Sequence, residues 1–339
     1  GTARLLAFLQ DLIDTTIDAL SGTHFDIAPP LRACRAMLAP PGSAAAQYYT
    51  PPTPDFTRPG QTWNPLLGRT RFPTWSEVST CYHEAVPGHH LQFGQWTYLS
   101  STLSRYQTST YPAGNIEGWA LYAERLMDEL GFLGDPGAHL GYLVAQQLRA
   151  TRVIVDIGMH NKLALPADQS FHPGEPFTPE LGHQFLLEHA GRDQAFLESE
   201  FVRYLGWPAQ AISYKVGERV WLAGREAARQ LRGAAFDLKS WHMNALSLGG
   251  SRSRRPRHRV GTVLIVDGST HDQPPITRPV RPRLRGGERR AARRARSALS
   301  STGCPHRARS RRDPSPRRRP RCGGRAAGRT PSRLRSSSR

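Results

Sequence analysis

The amino-acid sequence predicts a mainly α-helical domain over residues 1–249, with at most a small β-sheet, followed by a disordered tail over 250–339. Three observations carry that prediction. Apolar residues recur at helical spacing through most of the first 250 positions. A proline-punctuated stretch over 39–68 interrupts them. The charge then changes character at residue 250. Residues 1–250 hold 19 Lys and Arg against 23 Asp and Glu, whereas the last 89 hold 27 Arg, no Lys and only 4 acidic residues. The overall net charge of +19 therefore describes the tail.

The elements follow in order. Residues 3–20 form an amphipathic helix, with Leu5, Leu6, Leu9, Leu12, Ile13 and Ile17 on one face. Residues 39–68 are loop with short strands at most, the source of the small sheet. Thr74-Trp75-Ser76-Glu77 matches a capping box, with Thr74 at the N-cap and Glu77 at the third position. The helix it opens carries Trp75, Val78, Tyr82 and Val86 at helical spacing and contains His83 and Glu84. Further helices are expected over 116–130, 140–163, 179–189, 193–205, 208–231 and 236–249. The tail is Arg, Ser, Pro and Gly with little aliphatic content, too little apolar surface to offset its ordering entropy. One apolar run, VGTVLIV over 260–266, could form a lone strand.

Composition excludes several classes. The four cysteines make no CxxC pair and suggest no disulfide framework. No run of about 18 apolar residues points to a transmembrane helix. The arginine-rich tail would bind polyanions only through salt-sensitive phosphate contacts, and it lacks interleaved aromatics or a reading motif. Specific nucleic-acid recognition is therefore not expected. The chain opens directly on helical sequence, which suggests the middle of something longer, and a cytoplasmic location is expected with an exported form left open.

The chemistry concentrates in HEAVPGHHLQ, residues 83–92. Zinc needs imidazole and carboxylate donors about 2.0–2.2 Å from one point, and the usual helical solution is HExxH. That motif is absent here. On an unbroken helix His83 and His90 would lie about 10 Å apart along the axis, too far to share a metal. Pro87, however, lacks an N–H and clashes with the carbonyl four residues back, that of His83. The helix must bulge or break just after His83-Glu84. If two residues loop out, His89 takes the second ligand position and His90 packs or supports it; His90 as second ligand stays open. The competing reading is a helix ending at Pro87 with two surface histidines. Glu117 and Glu124, on the helix about 30 residues downstream, are candidates for a third ligand. Glu117 is preferred, in the first turn beside Ile116, Ala120, Ala123 and Met127; either glutamate could instead pair with Arg125 or be solvated.

HEAVPGHHLQ, EGWALYAERLMDELG, RATRVIVDIGMH and PAQAISYKVG, in this order, resemble the bacterial domain-of-unknown-function 885 family. YYTPPTPDFTRPGQTWNP and FDLKSWHMNALSLG also look like that family, and together they span about residues 45–249. The resemblance implies a zincin-like helical metallopeptidase, of which this chain matches the C-terminal half. It implies His83 and His89 as zinc ligands, Glu117 as third ligand and Glu84 as general base. The family pattern stops near Gly249-Gly250, and the Lys-free stretch beyond reads like a GC-rich gene out of frame, so a frameshift product is expected there.

The expected reaction is zinc-dependent hydrolysis of a peptide or small amide, with Glu84 moving the proton. Tyr214 in AISYKVG is a candidate oxyanion donor or, equally, a core tyrosine. Arg152, Asp156 and His160 lie one turn apart on one helix face and could orient ligands or bind a substrate carboxylate, or form an ordinary surface ion pair. Arg58 could meet substrate or anchor its loop. The alternatives are a metal-dependent amidase or esterase for a small metabolite, and an inactive fragment whose basic tail binds nucleic acid non-specifically.

Overall fold

A computed structural model describes residues 1–250, and the expectations for the tail, the 260–266 strand included, lie outside the described residues. Ten α-helices and three strands are defined among the described residues. The domain is mainly α with one small sheet.

The chain begins with helix α1, Thr2–Leu20, whose apolar face is buried through Leu5, Leu9, Ile13, Ile17 and Leu20. Strands β1, β2 and β3 follow at Cys34–Leu38, Tyr48–Thr50 and Gly60–Asn64. The central β3 pairs parallel with β1 and antiparallel with β2. Two of these strands fall in the proline-rich stretch; β1 precedes it and carries no turn signal that would have marked it.

Thr74–Ser76 forms a short 3-10 turn without a side-chain cap, so the expected capping box does not form. Glu77 instead turns inward, 6% exposed, and accepts from the Gln47 Nε2 at 2.7 Å. Helix α2, Val78–Glu84, ends at the His-Glu pair, and helix α3, His89–Tyr98, opens on the second histidine pair. Neither α3 nor the short α4, Arg105–Ser109, was expected as a separate helix. The break is four residues, 85–88.

Helices α5, Ala113–Glu129, and α6, Pro136–His160, start earlier than their periodicity suggests. Pro112 precedes α5, and the Asp135 carboxylate caps α6 by accepting from Ala138 N–H at 2.8 Å. Glu117 consequently sits in the second turn of α5 rather than the first. Helices α7, Pro179–His189, α8, Gln194–Gly206, α9, Ser213–Arg232, and α10, Leu238–Leu246, complete the domain. α9 starts at Ser213 rather than near 208, after turns over 207–212.

Two hydrophobic clusters hold these elements. The larger joins α1, α2, α5, α9 and α10 around Trp119, Tyr122 and Trp221. The smaller lies between α6, α7 and α8 around Val155, Leu186 and Leu197. Each such fully buried aliphatic side chain contributes roughly 1.5–3 kcal/mol. α5 and α9 cross almost in backbone contact: a Cβ on Gly118 would lie 2.5 Å from the Gly217 Cα. That crossing brings the second turn of α9 against the first two turns of α5. No helix among the described residues is long and apolar enough to cross a membrane.

Candidate metal centre

The site is built where α2, α3, α5 and α9 meet. His83 lies in the last turn of α2 and His89 is the first residue of α3, so the 85–88 linker sets their separation. Gly88 allows the linker to fold back: a Cβ there would lie 1.9 Å from the His83 carbonyl oxygen. The Trp119 indole N–H donates to the carbonyls of Pro87 at 2.9 Å and Gly88 at 3.2 Å, tying the linker to α5. The Gly88 N–H returns to the Tyr82 carbonyl at 3.0 Å, which satisfies one group freed by the break.

His83, His89 and Glu117 each present one ligand atom, and these atoms lie within 4.8 Å of one another. The Glu117 Oε2 is 3.5 Å from the His83 Nε2 and 3.4 Å from the His89 Nε2. Those spacings are long for hydrogen bonds. They match the ~3.4 Å edge of a tetrahedron with bonds of about 2.1 Å, the usual zinc geometry. The donor set is thus of the right kind and size for a metal.

Each donor is held from behind. The His83 Nδ1 meets the Glu124 Oε1 at 2.8 Å, and the Ser79 hydroxyl donates to the other Glu124 oxygen at 2.5 Å. A carboxylate on one ring nitrogen fixes which nitrogen faces the cluster. Glu124 therefore supports His83 rather than pairing with Arg125, which is bound to Glu218. Gln210, which the sequence reading missed, holds Glu117: its Nε2 donates to the Glu117 Oε1 at 3.2 Å. The orientation of that amide follows from Arg152, which can only donate and does so to the Gln210 Oε1 at 3.1 Å. His89 has no comparable support at its Nδ1, which is buried and without a hydrogen bond, and its ring stacks on Phe93 at 5.4 Å.

His90 is turned away. Its Nε2 donates to the Leu31 carbonyl and its Nδ1 accepts from the Tyr49 hydroxyl, both at 2.8 Å. Burial pulls its pKa down to about 4, so it stays neutral, and its nitrogens are spent on tying α3 to β2 and to the 3-10 turn Pro29–Arg32. Of the two candidates for second ligand, only His89 reaches the cluster.

Electrostatically the cluster sets two carboxylates, Glu117 and Glu124, against the His83 imidazole. Burial pulls the His83 imidazole down, but Glu117 and Glu124 more than reverse this and raise it to about 10. Burial pushes Glu117 up, and His83 and His89 override it, holding the carboxyl well below its usual range. Glu124 is lowered by the same balance of burial against His83. A proton on His83 neutralises part of this charge.

Of the three donors, His83 borders a cleft of about 750 Å³, its open mouth included, which Glu84 and Tyr214 also line. The Glu84 Oε2 is buried and has no hydrogen-bond partner. The Tyr214 ring stacks on His83 with centroids 5.8 Å apart, and its hydroxyl accepts from Gln210 at 3.4 Å.

The other predicted residues are placed differently. Arg152 and Asp156 are buried, not surface groups; Arg152 faces Glu200 at 3.8 Å and Gln210, and Asp156 accepts from the Ala209 N–H. His160 meets the Tyr204 carbonyl at 2.9 Å and does not line the cleft. Arg58 donates to the carbonyls of Pro51 and Pro59 and to Gln61, anchoring its own loop.

Comparison with known proteins agrees with this architecture. The chain superposes with a TM-score of 0.63 on a "putative lipoprotein" from Colwellia psychrerythraea, at 30% identity over 74% of this chain and 40% of that one. A second solved structure, a "putative lipoprotein of unknown function" from Shewanella oneidensis, gives 0.55 at 25% identity over 72% of this chain and 43% of that one. The chain thus spans about two fifths of the length of each. No functionally curated protein matches the sequence. The family of bacterial proteins of unknown function DUF885 matches residues 1–251, which takes in α1 as well as the motif segments and ends where the arginine-rich composition begins. The chain belongs to the DUF885 family.

Proposed function

We propose that this protein is a zinc-dependent hydrolase of peptide or amide bonds, with His83, His89 and Glu117 as ligands. The observation that carries the reading is the convergence of these three donors within 4.8 Å beside a cleft that also presents Glu84 and Tyr214. Bound zinc would supply Lewis acidity, acidifying water and polarising a carbonyl. Glu84 takes a proton from the attacking water and returns it to the leaving amine; its unpartnered buried oxygen suits that task. Tyr214, at the cleft wall against His83, donates its hydroxyl proton toward the developing oxyanion. Glu124, Ser79 and Gln210 orient ligands without touching substrate.

Metal analysis of the purified protein, with hydrolysis of a short peptide library, tests the proposal. One zinc per chain with zinc-dependent cleavage is expected; a metal-free protein that takes up no zinc on titration refutes it. The description of both solved relatives as a "putative lipoprotein" favours an exported protein over a cytoplasmic one, which fractionation of the native host would decide.

A further inference from the structure

The cleft beside the candidate centre carries more positive charge than its own carboxylates neutralise. Five arginines line it. Arg152 and Arg203 are paired with the buried Glu200. Arg69, Arg149 and Arg192 form no close ion pair with a carboxylate among the described residues, although Glu124 faces Arg149 and Glu77 and Asp193 lie near Arg192. Arg69 donates only to its local Leu66 carbonyl, at 3.4 Å, and Arg192 lies over the Phe196 ring. The Arg149 Nε is buried with no hydrogen-bond partner.

Of the acids nearby, all but Glu84, whose Oε2 is unpartnered, are already committed. Glu77 accepts from Gln47, and Asp193 caps α8 by accepting from the Phe196 N–H at 3.0 Å. Glu124, which faces Arg149, is taken by His83 and Ser79. Burial, and after it the charge of Arg149, lowers the Arg192 guanidinium from its ordinary value. Like charges desolvated together are costly unless an anion joins them. Their distance from the chemistry is short: the Arg149 guanidinium sits 4.6 Å above the Tyr214 ring, which itself stacks on His83.

We propose that Arg149 and Arg192, with Arg69 beside them, form a subsite for a substrate carboxylate, so that the protein acts on short peptides with a free C-terminal carboxylate next to the scissile bond. This rests on the hydrolase reading for the identity of the bond cleaved, but not for the binding of the anion. Guanidinium groups present planar paired donors that match a carboxylate. The assignment also moves the carboxylate-binding role away from Arg152, whose guanidinium is fully buried between Glu200, Gln210 and Tyr214.

Calorimetric binding of acetyl-Ala-Ala and of its C-terminal amide tests this, using zinc-loaded Glu84→Gln protein so that neither probe is turned over. A preference of at least about tenfold for the free acid is expected. It should shrink to within about twofold when Arg149→Gln and Arg192→Gln are added, with the fold checked by circular dichroism. Repeating the titration after zinc removal separates the two readings. A preference that persists without zinc and vanishes with the arginines supports the subsite even where no hydrolysis is found. Equal binding of acid and amide, no binding of the acid, a preference untouched by the arginine changes, or stronger binding of inorganic phosphate than of the peptide would each overturn it.

Discussion

Gly88 lies so close to His83 that a single added carbon would fall 1.9 Å from the His83 carbonyl oxygen. This contact lets the chain leave α2 and begin α3 within four residues, and it sets how near His89 comes to His83. Gly88→Ala should therefore force the linker off the end of α2. A stability loss of about 1–3 kcal/mol is expected from overpacking against rigid backbone, together with loss of zinc binding. Urea denaturation and metal titration measure both; an alanine variant that binds zinc like the parent contradicts this account of the linker.

Glu124 holds the His83 Nδ1 from the buried side. Glu124→Gln should keep the fold but weaken zinc binding by roughly 10- to 100-fold, the usual range for a group that orients a ligand. Competition with a chromophoric chelator gives the affinity directly. An unchanged dissociation constant would show that His83 is held by packing alone.

Glu84 contributes no ligand atom to the cluster. Glu84→Gln should retain zinc while hydrolysis falls by about 10²–10⁴-fold, the range typical of losing a general base. Full activity in that variant removes Glu84 from the mechanism.

Acid should destabilise the domain before its carboxylates titrate. His90 and His242 are buried, and burial lowers them to about 4 and about 3. An unfolded histidine titrates near 6.5, so between these values the unfolded chain binds more protons. The stability is present above pH ~6.5 and is lost as the pH falls, by on the order of 3 kcal/mol for His90 alone by pH ~4. A urea midpoint that stays flat from pH 7 to pH 5 would refute this.

His83 works in the opposite direction in the zinc-free protein. Its pKa is raised to about 10, so the folded state holds the extra proton. Its contribution is full below pH ~6.5 and is lost as the pH rises toward 10. Zinc bound as proposed would take the place of that proton, so zinc-loaded protein should lose this alkaline decline. Thermal melts at pH 7 and 9, with and without zinc, make the comparison. An identical decline in both forms would place the responsible proton elsewhere.

Much of the fold is legible in local pattern. The face of α1 is a run of aliphatic residues at helical spacing, and α7 begins at Pro179 behind a Thr178 cap whose side chain accepts from the Leu181 N–H. Other boundaries were not legible because their signals are shared. Thr74 and Glu77 spell a capping box, yet burial beside Gln47 draws the Glu77 carboxylate inward and the box does not form. β1 shows no strand signal of its own; it exists because β3 lies beside it.

The candidate site divides the same way. By itself the sequence determined that a helix carrying His83 and Glu84 must break at Pro87-Gly88, because proline removes a donor and collides with the preceding turn. It could not decide between His89 and His90. Adjacent residues at a helix start point in directions set by the linker's path, and that path depends on Trp119, which is remote in sequence. Tertiary structure alone brought Gln210 to Glu117 and turned His90 into the sheet, by closing α5 on α9 through Gly118 and Gly217 and by packing α3 on β2 and β3. It also gathered Arg69, Arg149 and Arg192 around one cleft. Local propensities act over a few residues, whereas these arrangements depend on which distant surfaces exclude water together.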